Sequence, residues 1–396
     1  MDAKQQFGQK QKCTTTIRHI KDYALTLGIS DLKFSEVDID FLLGLQNYIQ
    51  SKKVAPITQR GYFEKFKMIL NLAIKQNKYN PYRHPFLGFE NAKVVTAPKC
   101  LSPQQFNLLK ELVSGKNTKT YNLKTNEELP PLSNEDKRTG LKFLFQYYCY
   151  GMRVSDLLLM RYSNIYESGK RIKYTMQKTK NDMDIILSNE LLNILFEFMP
   201  DKNKVAIIRQ SEEKDGVFKY KVNGVVIKVN KKTEWYDLIR ANLYYLSTDS
   251  KTKNKRIFSI IPEALDTKKD AKSIHSKLAT YTAIYNKGLK NLSIEIGIRN
   301  GDKFHLSSHM ARHTFAYLAM LSGQNVYYIS QALNHKTIKT TEKYLGRFPE
   351  RHLDGMFYKS DEFSAADKKA IDDKLKELIN GSDYEKKKKM IDLLSL

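Results

Sequence analysis

The stretch from Ser307 to Gly346, SSHMARHTFAYLAMLSGQNVYYISQALNHKTIKTTEKYLG, reads as three short helices. If Ser307 or Ser308 caps the first, His309, Arg312 and His313 stand at i, i+3 and i+4 and project from one face. Ala316, Leu318, Ala319 and Leu321 then face the core, and Gly323 ends the helix. The second helix runs from Asn325 to Leu333 and breaks at Asn334-His335. The third runs from about Thr337 to Leu345, which puts Tyr344 on its last turn, before Gly346. One apolar window thus gathers cations that can hold anionic oxygens, imidazoles that can move a proton, and a phenol that can act as a nucleophile. Any one of these histidines alone is more often a packing residue. Their joint register with an arginine and a tyrosine points instead to phosphate chemistry.

The series His309-x-x-Arg312-His313-Thr314-Phe315-Ala316, then Leu333-Asn334-His335, then Thr341-Glu342-Lys343-Tyr344 resembles the C-terminal signature of the tyrosine recombinase (phage integrase) family. Order, residue types and the nine-residue step from His335 to Tyr344 all agree. Asn334 stands where that family usually has glycine. A second block is similar as well: Tyr150-Gly151-Met152-Arg153-Val154-Ser155-Asp156-Leu157 follows a helical pattern that begins near residue 137, with Ser155-Asp156 able to cap the next helix. From Arg171 the pattern turns to strand: Ile172, Tyr174 and Met176 alternate, Gln177 to Asp182 turns, and Met183 to Leu187 returns. The family keeps a mobile catalytic lysine at the end of the outgoing strand of such a hairpin. Lys178 fits best by counting back from Leu187, with Lys180 its close rival.

The resemblance implies a mechanism. A DNA phosphodiester repels nucleophiles with its anionic oxygens and parts with a poor alkoxide, so a catalyst must neutralise the one and protonate the other. Arg153 and Arg312 are the family's two arginines, planar permanent cations suited to the non-bridging oxygens. His309 exchanges a proton with Tyr344, the nucleophile, and His335 hydrogen-bonds a non-bridging oxygen. Lys178 protonates the departing 5′ oxygen, and His313 supports helix packing. The resulting 3′-phosphotyrosine stores the bond energy, so a 5′ hydroxyl can reseal the strand without ATP. No cofactor and no metal is expected.

The whole chain fits a polyanionic partner: 396 residues carry a formal charge of +24, with a sequence pI near 9.6. Cys13, Cys100 and Cys149 lack metal-site spacing and are read as free thiols of a reducing compartment. No run approaches the roughly 18 apolar residues of a membrane span, and the N-terminus lacks an apolar signal core. The expectation is a soluble cytoplasmic protein, associated with the nucleoid when bound to DNA.

The expected fold is mainly α with a small β-sheet: an N-terminal helical, SAM-like core-binding domain over residues 1–90, a linker over 91–100, and a mixed α+β catalytic domain over 101–396. In the first, a flexible basic lead to about residue 12 precedes helices at Thr14–Leu27, Ser35–Ser51 and Thr58–Asn77. Ile17, Ile20, Tyr23 and Ala24 line the first; Tyr62, Phe66, Ile69, Leu70, Ala73 and Ile74 line the third. Arg60, Lys65 and Lys67 lie off that last stripe and, with Lys180, are candidate DNA-contacting residues, positioning the protein on phosphates. Within the second domain the family pattern loosens over about 202–255, read as an insertion containing a hairpin at Val217–Val229 around Asn223-Gly224. A C-terminal helical segment is expected over 363–396. The partners implied are double-stranded DNA, a second to fourth copy of the chain in a homotetramer on paired recombination sites, and accessory DNA-bending proteins. Two alternatives stay open: a catalytically silent DNA-binding protein on the same scaffold, and a type IB topoisomerase-like enzyme.

Overall fold

The computed structural model describes residues 7–91, 99–114, 121–122, 125–212, 218–222, 225–229, 235–258, 271–295 and 305–345. Most of the expected linker (92–98) and the whole expected C-terminal helix (363–396) lie outside the described residues.

Three helices build the N-terminal unit: α1 (Phe7–Thr26), α2 (Ile39–Ser51) and α3 (Pro56–Lys75). The chain is already helical at Phe7, so residues 7–12, expected to be flexible, belong to α1; the Gln and Lys residues among them are good helix formers. The buried face of α1 is Cys13, Thr16, Ile20 and Ala24, with Tyr23 packed beside it; of the expected stripe Ile17 alone is exposed. Asp38 caps α2, its Oδ1 accepting the Phe41 N–H at 2.8 Å. Pro56 occupies the first turn of α3, where its missing N–H costs nothing. Gln59, Phe63, Phe66, Leu70 and Ala73 are the buried face of α3. Phe86, in the segment after α3, closes this core against Phe66 with edge-to-face rings 5.8 Å apart.

The second unit starts with α4 (Pro103–Ser114), capped reciprocally: Ser102 Oγ accepts the Gln105 N–H and Gln105 Oε1 accepts the Ser102 N–H. The central element is α5 (Asn134–Tyr148), whose Leu141, Phe143, Leu144 and Phe145 are buried and which packs against α4 and four later helices. After α6 (Val154–Leu159) comes an antiparallel sheet of β1 (Ile165–Tyr166), β2 (Arg171–Thr175) and β3 (Asp182–Ile186), in that order. The expected hairpin is present, with Thr175 opposite Asp182; the two-residue β1 was too short to show a period. Then follow α7 (Asn189–Phe198), α8 (Asp201–Glu212), the hairpin β4 (Phe218–Val222) and β5 (Val225–Val229), and α9 (Trp235–Thr248). The hairpin has the register its sequence called for, ending at Val222 opposite Val225. Leu238, Ile239, Leu243 and Leu246 of α9, however, are buried in the same core as α5. The segment 202–255 thus contributes a core helix as well as the expected hairpin. The unit closes with α10 (Ala271–Glu295), α11 (Ser308–Leu321), α12 (Val326–Ala332) and α13 (Ile338–Leu345). Among the described residues no helix is long and apolar enough to cross a membrane.

Candidate active site

The site begins where α5 ends. Left-handed backbone at Tyr150 (φ 54°) and Gly151 (φ 68°) reverses the chain and delivers Arg153 to the start of α6. This loop hangs on Gln146, which is fully buried: its Nε2 donates to the Met152 carbonyl at 2.8 Å, and its Oε1 accepts from the Tyr285 hydroxyl of α10 at 3.0 Å. A buried amide satisfied on both sides fixes its neighbours, because breaking either bond leaves a desolvated polar atom. Gly151 also permits a close approach, since a Cβ there would sit 2.8 Å from Arg312 Cα.

Arg312 is 3% exposed. Its Nη1 donates to the Gly151 carbonyl at 3.1 Å and its Nη2 donates to the Leu333 carbonyl, so one guanidinium ties the Arg153 loop to the end of α12. A buried cation needs such hydrogen-bonding partners to be tolerable. Arg153 is half-buried, and its Nη1 donates to Met176 Sδ at 3.1 Å, a soft and weak acceptor.

Beyond α12 the backbone turns through Asn334 at φ 51°. Glycine suits that left-handed conformation, and asparagine is among the L-residues that adopt it most readily. His335 follows, with Nδ1 hydrogen-bonded to Thr341 Oγ1 of α13 at 2.8 Å; Thr341 is itself fully buried. Burial first, then the charges of Arg312 and Arg153, push the His335 pKa down to about 4. His313 is also pushed to about 4, by burial, then by His309 and Arg312. His309 retains solvent exposure, yet burial, Arg312, Arg153 and Lys178 lower its pKa in that order. The His309 and His313 rings meet edge to face, 4.6 Å between centroids. All three imidazoles are consequently neutral at pH 7.

The third component is the turn between β2 and β3. Asp156, expected with Ser155 to cap α6, does something else: the helix begins at Arg153 without a side-chain cap, and Asp156 Oδ1 accepts the Gln177 N–H at 2.9 Å. Burial raises the Asp156 pKa, opposed by that hydrogen bond and then by Arg153, Arg312 and Lys180. Lys178 and Lys180 are both exposed and both lie within the turn, past the last residue of β2. They differ in what their charge reaches: Lys178 acts on His309, Lys180 on Asp156. Asn181 Nδ2 donates to Asn334 Oδ1 at 2.6 Å. Tyr344 lies on α13, which packs against α11 and α12; its side chain lies outside the described residues.

The structure thus brings Arg153, Arg312, His309, His335 and the Lys178 turn to one place. The remaining candidates sit on α3. Arg60 pairs with Glu64 at 3.0 Å with both side chains exposed, Lys65 donates to Gln9 Oε1, and Lys67 Nζ lies 5.8 Å from the Phe86 ring centre. Gln146, Tyr285 and Asn181 have no local signature for these contacts, and Asp156 has one only for a cap, because each acts on a residue distant in the chain or on a backbone atom. Among the described residues no group of three His, Cys, Asp or Glu side chains is placed to hold a metal ion.

With this geometry in hand, known proteins give a consistent picture. Residues 1–90 match the phage integrase SAM-like domain, and residues 123–351 match the phage integrase family. Tyrosine recombinase XerA of Saccharolobus solfataricus is 42% identical over 64 residues, which is 16% of this chain and only 20% of that relative's length. Of solved structures, the XerH site-specific recombinase in its post-cleavage complex on palindromic difH superposes with a TM-score of 0.52 at 13% identity, covering 87% of this chain and 78% of that one. The Tn1549 transposon integrase bound to transposon right end DNA gives a TM-score of 0.52 at 12% identity, covering 90% and 93%. At these identities the structural likeness speaks to the fold.

Proposed function

Because the chain belongs to the phage integrase family, we propose that it cuts and rejoins double-stranded DNA through a covalent 3′-phosphotyrosine, as a site-specific recombinase. The observation that carries this reading is the buried Arg312, whose two backbone hydrogen bonds hold the Arg153 loop and the His335 corner around one space. Two fixed guanidinium groups there hold the non-bridging oxygens of a phosphodiester and stabilise the charge that develops as it is attacked.

In the proposed reaction Tyr344 Oη attacks phosphorus and its proton passes to His309. A neutral imidazole is free to accept that proton, and its lowered pKa favours giving it up again during rejoining. As the new P–O bond forms, the bond to the 5′ oxygen breaks, and Lys178 supplies the proton that makes it a hydroxyl. Attack by a 5′ hydroxyl then reverses each step, with phosphodiester energy conserved throughout. His335 donates to a non-bridging oxygen through the ring nitrogen opposite Thr341. His313 serves as the edge-on support of His309. Exchange between two sites calls for four protomers, one for each strand cut. Arg60, Lys65 and Lys67 contribute phosphate contacts from the N-terminal unit, and Lys180 contributes one beside the pocket.

A nicked duplex that loses its short 5′ fragment after cleavage traps the intermediate. Tiling such duplexes across the DNA flanking the encoding gene is expected to give a covalent adduct with the wild type and none with Tyr344→Phe. An adduct that survives Tyr344→Phe removes Tyr344 as nucleophile.

A further inference from the structure

The turn that carries the lysines is held at both ends by residues outside the hairpin. At its start, the Gln177 N–H is bound to Asp156 next to the first arginine; at its end, Asn181 Nδ2 is bound to Asn334 Oδ1, next to His335. Internal bonds, Met176 N–H to the Asn181 carbonyl at 2.9 Å and Lys180 N–H to the Met176 carbonyl at 3.0 Å, give the segment between these anchors a defined shape. Lys178 is the exposed side chain in that segment whose charge bears on His309.

Asn334 is the informative member. Its backbone is left-handed, and glycine adopts that conformation without the steric cost an L-residue incurs. A side chain retained there has to offset that cost, and both ends of this one are engaged: Oδ1 takes the Asn181 amide, and Nδ2 donates to Met183 Sδ on β3 at 3.5 Å. A glycine could make neither contact. We propose that Asn334 and Asn181 form a clasp that holds the lysine-bearing turn against the His335 corner, which makes both of them positioning residues for Lys178 during strand cleavage. The clasp rests on the phosphoryl-transfer reading above. It acts by narrowing the range a flexible four-carbon side chain explores, so that its ammonium is near the departing oxygen when the bond breaks.

Asn334→Gly is a clean probe, because it removes both contacts while relaxing the backbone. Asn181→Ala removes the same hydrogen bond from the other side. Single-turnover cleavage is measured on two sets of the nicked duplexes, one with the ordinary bridging 5′ oxygen and one with a bridging 5′ sulfur, which departs as a thiolate without a proton. Each variant is expected to cleave the oxygen substrate about three- to tenfold more slowly, the size of one net hydrogen bond, and to cleave the sulfur substrate at the wild-type rate. Lys178→Ala should show the same pattern with a larger loss, and the double variant Asn181→Ala/Asn334→Gly should lose no more than either single one. Equal losses on both substrates, or none on either, overturn the clasp. Absence of any adduct with the wild type instead overturns the phosphoryl-transfer reading, and the clasp falls with it.

Discussion

The helical N-terminal unit and the α+β unit each present cations, and they hold them in opposite ways. On α3, Arg60 faces solvent and pairs with Glu64 one turn away, an arrangement worth little to stability. On α11, Arg312 is enclosed and bonded to two backbone carbonyls from segments 161 and 21 residues away. The first unit would fold much the same with its charges changed, since its core is a set of aromatic and aliphatic side chains. In the second the charge is part of the fold. Surface cations add up in number and can be exchanged, whereas an enclosed one acts through position and cannot.

The largest effect expected to sharpen this contrast is that of Arg312→Ala. Adduct formation in a single turnover should fall by at least on the order of 10²- to 10³-fold, and unfolding should shift to lower urea. A variant that stays within a few-fold of wild type would erase the distinction. Next comes Gly151→Ala, which never touches substrate. Its Cβ meets the Arg312 backbone and its φ is positive, so a loss of about 1–3 kcal/mol is expected in urea unfolding. No loss would mean that the Arg153 loop is not pressed against α11.

Acid should separate the regions less sharply. His313 and His335 titrate near 4 in the folded protein against an ordinary 6.5. As pH falls below about 6.5 the unfolded chain binds these protons first, so their contribution is complete above that value and is lost progressively down to about 4. His19 and His84 of the N-terminal unit are also lowered, chiefly by burial. Plots of urea midpoint against pH should therefore flatten more for His335→Asn than for His84→Asn. The smallest effect belongs to Arg60→Ala: stability within about 0.5 kcal/mol of wild type, with the salt dependence of DNA binding reduced by about one unit of slope. A larger stability change there would make the two arginines alike after all.

What the sequence disclosed follows from the range of the interactions involved. Helix α11, the α12 break at Asn334 and the β2–β3 hairpin were legible because helical period, left-handed tolerance and alternation are local, although Ser307, expected as a cap of α11, makes no side-chain capping bond. Along α1, Ile20, Tyr23 and Ala24 lie on the core side as their period implies, but Ile17 is exposed and the less hydrophobic Cys13 and Thr16 are buried, since tertiary fit and not hydrophobicity alone decides the edge of the stripe. Ser155-Asp156 looked like a cap because that is its commonest local use. Nothing nearby announced that Gln177, 21 residues on, would claim the carboxylate. Helix α9 lies in the stretch where the family pattern loosens, although Leu238, Ile239, Leu243 and Leu246 keep a helical period. Gln146 and Tyr285 are the extreme case, since a glutamine bonded to a backbone oxygen leaves no trace in residue pattern.

The Arg312 bond to the Leu333 carbonyl has a bearing on how this molecule breathes. Short helices at the edge of a domain usually fray on their own, exposing their amides to exchange long before the core opens. Here the last carbonyl of the α12 turn is pinned by a side chain rooted beside α5, so the corner is stapled to the most enclosed part of the unit. Amides around Leu333 should exchange in step with those of the Gly151 loop, as one cooperative block.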